Sequence, residues 1–264
     1  LKELEISFSS LSKLKDYCDS ISIEFLCTSF SIKGLKQLCN LGMKKIKIPS
    51  GEINNKSLLL EAAKLKKEIY LSTGMSNLAE VKQAINILAG YEVSDITLMH
   101  CTSLYPAPYS SLNINALRVL KNNFKHNLGY SDHSIGSMAS IIAVSLGANV
   151  LEKHITLNKK SEGPDHRASM EIKEFTQYIK DIRNAEKILG NESKSPDKRE
   201  IKVKKLVRKS WYATKSIKKG EKLNKNNVVL KRPEGGISPL IEIYGKVVNN
   251  DISAEDPIKK GDII

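Results

Sequence analysis

The sequence has no long apolar run, few aromatic side chains and little cysteine, and each shortage removes a class of function. No segment approaches the roughly 20 consecutive apolar residues that a membrane helix needs, and the N-terminus lacks the charged-then-apolar pattern of a secretory signal. A cytosolic protein with no membrane partner is expected. The four cysteines, Cys18, Cys27, Cys39 and Cys101, show neither CxxC spacing nor clustering with histidine. That argues against a zinc knuckle or a disulfide framework and leaves reduced, mostly buried thiols. Aromatics form 6% of the chain, too few to interleave with lysine as they do in grooves that track nucleic acid. The net charge of +13 is therefore read as a solvated lysine-rich surface that also attracts small anions, with no nucleic-acid partner.

What is present is alternation. Short β-type runs at Ser22–Thr28, Lys45–Ser50, Glu68–Thr73, Ile96–Thr102, Leu128–His133 and Val150–Ile155 are separated by amphipathic stretches. In one of these, Asn77–Ala89, Leu78, Val81, Ala84, Ile85 and Leu88 recur at helical spacing. Such alternation implies parallel strands with crossover helices. Almost every run ends in a polar group: Thr28, Ser50 with Glu52, Thr73, Thr102, His133, His154. An open doubly wound sheet concentrates function at one switch point, whereas a barrel collects it from many strand ends, so a (β/α)₈ barrel is expected. Six units are visible over residues 1–190, and the chain opens on a helical stretch at Leu1 rather than on Met, so the missing two units are expected upstream. A last helix over Phe175–Leu189 ends at Gly190, and residues 191–207, polar and basic with Pro196, read as a linker. Residues 208–264 read as a small β-rich domain of two related halves, because IKKGE at Ile217–Glu221 returns as IKKGD at Ile258–Asp262.

The residues with chemical potential sit at the strand ends. His133 in YSDHS and His154 in LEKHI would stand side by side at a barrel rim, where two neutral ring nitrogens suit a divalent ion and leave positions for substrate oxygens. The plainer reading of each is a core histidine satisfied by a backbone group. Glu152 shares a strand face with His154, Asp165 follows in a Gly-Pro-Asp-His turn, and Asp132 should point away from the lumen in a structural role. Lys47, Ser50 and Glu52 surround a Pro-Ser-Gly turn: lysine and serine suit the phosphate or carboxylate of a small anion, and Glu52 can move a proton. HCTSLYPAPY offers Thr102, Ser103 and Tyr105 in a rigid polar loop, while His100 is expected to be structural.

The motifs KIPSGE, STGM, HCTSLYPAP, GYSDHS, EKH, GPDH and KRPEGGISP, in this order, resemble those of the sialic acid synthases over the whole chain. The resemblance implies a (β/α)₈ barrel joined to an antifreeze-like (SAF) domain in a domain-swapped homodimer. It implies condensation of phosphoenolpyruvate with an N-acetylated mannosamine to give N-acetylneuraminate and phosphate, with N,N'-diacetyllegionaminate synthesis from 2,4-diacetamido-2,4,6-trideoxymannose, or a noncatalytic carbohydrate-binding role, as alternatives. By the same resemblance His133 and His154 are ligands for Mn²⁺, or for Mg²⁺ or Co²⁺. Lys47, Ser50, Thr28, Thr102 or Ser103, and Ser131 fall where phosphoenolpyruvate is held. Glu52, Tyr105 and Asp165 fall at the sugar and proton-transfer site, and Arg232 matches an arginine inserted into the partner's site. CTSF stands where the family often has STPF, beside Thr28.

Overall fold

Five of the six apolar runs pair as strands: β1 (Lys45–Ile48), β2 (Glu68–Ser72), β3 (Ile96–Cys101), β4 (Asn127–Asp132) and β5 (Val150–Lys153). In this computed structural model, which describes residues 5–91, 93 and 95–264, they form one sheet in the order β1-β2-β3-β4-β5, every neighbouring pair parallel. Strand order that never reverses has no switch point and is the order of one arc of a β/α barrel.

The sixth run differs from expectation. Residues 22–28 join no ladder, and Ser22 is a turn residue at φ +57°; Phe25 is buried, and the Cys27 amide meets the Met43 sulfur at 3.4 Å instead of a strand carbonyl. The opening helical stretch appears as α1 (Phe8–Ser20), and residues 1–4 lie outside the described set. It is followed by α2 (Ile32–Asn40), α3 (Lys56–Lys64), α4 (Leu78–Ala89), α5 (Ala116–Asn123), α6 (Met138–Ser145) and α7 (Ile172–Leu189).

Local chemistry sets these boundaries. Asn77 caps α4 in a reciprocal box with Glu80, and Gly190, at φ +61°, terminates α7. Along each strand, alternate residues face the helices: Ile46, Ile48, Ile69, Leu71, Ile96, Leu98, Leu128 and Tyr130 are all nearly or fully buried. Each such side chain contributes about 1.5–3 kcal/mol through burial. The remaining positions, in register from strand to strand, form the opposite face, which carries Lys47, Ser72, Ser131 and Glu152.

Val150–Ile155 is interrupted at His154. Beyond it, β6 (Ile155–Thr156) leaves the main sheet and pairs in parallel with β7 (Met170–Glu171), so the chain turns where the second histidine sits.

By its internal contacts the chain divides into two compact units, residues 1–190 and 191–264. Within the stretch read as a linker, α8 (Lys198–Val207) forms because Asp197 accepts from the Arg199 amide while Glu200 reaches back to the Asp197 amide. The second unit pairs β8 (Ser210–Ala213) with β9 (Val228–Lys231) around Trp211, Ile217, Leu223, Ile243, Val248 and Ile258. Its repeat has a physical basis. Ile217 and Ile258 are both fully buried, and Glu221 and Asp262 each accept from the amide three residues back, at 2.9 and 2.7 Å. Gly236 in the KRPEGG loop must be glycine, since a Cβ there would stand 2.5 Å from the Ile258 carbonyl oxygen.

Candidate active site

The polar face of the sheet ends in a cavity of about 580 Å³ at the C-terminal edge of the strands. Register explains its lining. Cys101, Ser131 and Glu152 are mutual ladder partners on β3, β4 and β5, and two residues further along the same face come Ser103, His133 and His154. Thr28, Ser50 and Tyr105 also line it.

Lys47 enters from β1 and is 6% exposed. Its ammonium donates to Ser72 Oγ at 2.8 Å and stands 3.7 Å from Glu152 Oε2, which accepts from Ser131 Oγ at 2.6 Å. Burial pulls the Lys47 pKa below its ordinary value, and the Glu152 carboxylate works against that shift. Ser50 Oγ lies 3.0 Å from Cys101 Sγ and accepts from the Gly74 amide at 3.0 Å. Gly74 of STGM is dictated by space, because a Cβ would fall within 2.8 Å of Ser50, Cys101 and Ser103 side-chain atoms.

His133 Nδ1 meets the Thr102 carbonyl at 2.7 Å. A carbonyl can only accept, so Nδ1 carries the proton and Nε2 is left with its lone pair. Burial lowers the His133 pKa, the bond to Thr102 opposes this, and the neighbouring His154 lowers it further. The two imidazole centres are 5.5 Å apart with ring planes at 82°, and the Tyr105 ring packs 4.1 Å from His133 and 5.5 Å from His154. His154 Nδ1 faces Asp165 Oδ2 at 3.7 Å.

Several expected residues stand outside the cavity wall. Thr102 Oγ1 turns away to donate to the Ser111 carbonyl at 3.2 Å, so of the pair Thr102 and Ser103 it is Ser103 that faces the cavity. Glu52 sits on the 3₁₀ turn Ser50–Glu52, its carboxylate accepting from Asn55 Nδ2 at 2.7 Å. Arg232 is exposed in the second unit, on a loop held by the Tyr212 hydroxyl donating to the Pro233 carbonyl at 2.9 Å. Asp132 points to the helix side, as expected, and His100 donates from Nε2 to the Leu112 carbonyl at 2.8 Å. Sequence reading gave neither Ser72 nor Cys101 a role at the site. Both follow from strand alternation, the first two residues beyond the lysine-facing Tyr70, the second opposite Ser131.

Among the described residues no group of three or more His, Cys, Asp or Glu side chains is placed to hold a metal ion, so a divalent ion at this rim would have the two imidazoles as its protein ligands and would take its remaining positions from water and substrate oxygens. His133 has the tautomer that such ligation would require, set by the Thr102 carbonyl on its other nitrogen.

Consecutive parallel strands delivering a lysine, serines, a carboxylate and two imidazoles to one rim define a β/α-barrel enzyme. The NeuB family model matches residues 1–194 and the SAF domain model residues 208–264. This chain belongs to the NeuB family of sialic acid synthase-type enzymes and carries a C-terminal SAF domain. It is 42% identical to the N,N'-diacetyllegionaminic acid synthase of Campylobacter jejuni, over 98% of this chain and 79% of that protein. It is 39% identical to the enzyme of the same name from Legionella pneumophila, over 96% of this chain and 73% of that one. The N-acetylneuraminic acid synthetase of Leptospira borgpetersenii, solved with citrate, superposes with a TM-score of 0.72 at 31% identity, covering 75% of this chain and 70% of that one. No helix among the described residues is long and apolar enough to cross a membrane.

Proposed function

We propose that the chain condenses phosphoenolpyruvate with an N-acetylated mannosamine-type sugar, forming a nine-carbon α-keto acid and releasing phosphate. The observation that carries this reading is the convergence of the buried Lys47 ammonium, the Ser50 and Ser131 hydroxyls and two imidazoles on one cavity, which suits an anionic phosphate ester beside a polarised carbonyl. For the acceptor, the sequence alone favoured N-acetylmannosamine. Identities of 42% and 39% to the two diacetyllegionaminic acid synthases, against 29% and 30% to two N-acetylneuraminate-9-phosphate synthases over nearly the same residues, support 2,4-diacetamido-2,4,6-trideoxymannose instead.

In this reading Lys47, already bonded to Ser72 and close to Glu152, holds the phosphate or carboxylate of phosphoenolpyruvate, with Ser50, Ser103, Ser131 and Thr28 around it. His133 and His154 hold a divalent ion, Mn²⁺ with Mg²⁺ or Co²⁺ as substitutes, which supplies Lewis-acid polarisation of the open-chain sugar aldehyde. The methylene carbon of phosphoenolpyruvate bonds to the aldehyde carbon, water adds to the resulting cation, and the tetrahedral centre expels phosphate by C–O cleavage. Lys47 stabilises the anionic charge throughout. Tyr105, packed against His133, walls the sugar side; Asp165, beside His154, is a carboxylate able to carry a proton, and Glu52 would share that role by turning from Asn55 toward the cavity. Arg232 is proposed to reach the site of a partner chain in a swapped homodimer, in the cytosol.

The test is phosphate release from phosphoenolpyruvate with Mn²⁺, comparing N-acetylmannosamine with the diacetamido-trideoxy sugar. Turnover with the latter at the higher kcat/KM is expected. Turnover with neither sugar would favour a noncatalytic carbohydrate-binding role.

A further inference from the structure

Directly behind the two imidazoles, on the helix-facing side of the sheet, Lys153 reaches from β5 to β4. Its side chain is 2% exposed, and it meets the fully buried Asp132 carboxylate at 3.0 Å. The same ammonium donates to the Ser134 carbonyl and, at 3.3 Å, to the Gly136 carbonyl. Asp132 is saturated from its other sides by the Ser134 amide at 2.9 Å and by the Ser134 and Ser140 hydroxyls at 2.7 Å each; Tyr178 donates to Ser140 Oγ at 2.9 Å. Asp132 and Lys153 are the last register partners of the β4–β5 ladder, so His133 and His154 are the next residue on each strand. Among the described residues no register pair joins the two strands past that point. One ammonium, on the residue before His154, instead holds the carboxylate just before His133 and the carbonyls just after it.

We propose that Lys153 is a positioning residue that sets the spacing of His133 and His154, and through it the affinity for the ion they hold. The inference rests on the metal-ligand reading of the two histidines given above. A pair serving only to neutralise buried charge would need the Asp132 contact alone; the two carbonyl contacts restrain the loop that carries His133. Restraint of this kind, one step behind the ligands, is where metal sites lose affinity when it is removed.

The test is a Mn²⁺ titration of the full chain without substrates, with free ion read by electron paramagnetic resonance. The double variant D132N/K153M removes both charges together, leaves no unpaired buried ion and is expected to fold with an unchanged circular dichroism spectrum. Its Mn²⁺ Kd is expected to weaken about tenfold or more. Y178F, which alters the same network away from the strand ends, is expected to lower Tm and leave the Kd in place. An unchanged Kd in folded D132N/K153M overturns the inference while leaving the ligand reading standing, provided H133A and H154A each abolish binding. Absence of Mn²⁺ binding by the unaltered chain, or binding indifferent to both histidine substitutions, overturns reading and inference together. If that variant does not fold, D132N/K153Q, which keeps an uncharged polar pair across the ladder but shortens the reach to the Ser134 and Gly136 carbonyls, carries the same comparison: a weaker Kd supports the clamp and an unchanged one overturns it.

Discussion

Two buried lysines on opposite faces of one sheet show how differently the same side chain can be used. Lys153, between sheet and helices, is saturated: a carboxylate at 3.0 Å and two carbonyls fill its three donor positions. Lys47, facing the cavity, has one good partner, Ser72 at 2.8 Å, with the Ile48 carbonyl at a marginal 3.4 Å and Glu152 at 3.7 Å. Burial lowers the pKa of both, and in both a carboxylate opposes the shift. What separates them is spare capacity. A lysine with all donors engaged holds the fold, whereas one buried beside a cavity with donors to spare is arranged for something that arrives later.

The sharpest way to break this contrast is to remove each ammonium alone. Lys153→Met strands a fully buried Asp132 and is expected to cost about 3–5 kcal/mol of stability, read by urea denaturation. Lys47→Met leaves Glu152 with Ser131 and partial solvent access, so its stability should shift by less than about 1 kcal/mol. Its phosphate-release activity, however, should fall about 10²–10³-fold, the loss typical of one electrostatic donor at a reacting centre. Equal stability losses in the two variants would erase the distinction.

A finer version concerns neighbours on one loop. Ser103 faces the cavity while Thr102 donates to Ser111. Ser103→Ala is expected to raise the KM for phosphoenolpyruvate about tenfold, the upper range for one neutral hydrogen bond, and Thr102→Ala to leave it within about twofold. The reverse ranking would mean that the loop rearranges on binding.

Much of this was legible in the sequence because barrel strands announce themselves twice, by an apolar run and by a polar terminus. Alternation alone put Asp132 away from the lumen and Glu152 with His154. What stayed hidden needed register. Residues 22–28 have strand composition, but composition cannot say whether a backbone neighbour exists, and none pairs with them among the described residues. Thr102 and Ser103 could not be ranked because a residue just past the strand end may turn either way. Lys153 was passed over because a lysine reads as surface until its ladder partner is known to be an aspartate.

The smallest expected effect separates the histidines of the two faces. His100, on the helix side, donates to the Leu112 carbonyl, and burial holds its pKa below the ordinary value. The folded ring stays neutral while the unfolded ring takes up a proton below about pH 6.5. Its stabilising contribution is therefore complete above pH 6.5 and is lost as pH falls toward the lowered folded value. His133 shifts in the same direction, so the two add. Unfolding free energy measured by urea at pH 7.5, 6.5 and 5.5 should decline, with each histidine contributing at most about 1.4 kcal/mol per pH unit. His100→Asn, which keeps a donor but cannot titrate, should make that decline shallower without altering Mn²⁺ affinity. Adding Mn²⁺ should steepen it through the two ligand imidazoles and not through His100, because bound metal requires neutral rings. A slope unchanged by His100→Asn would mean that this ring is not held neutral on the helix side, and the division of labour between the two faces would fail at that position.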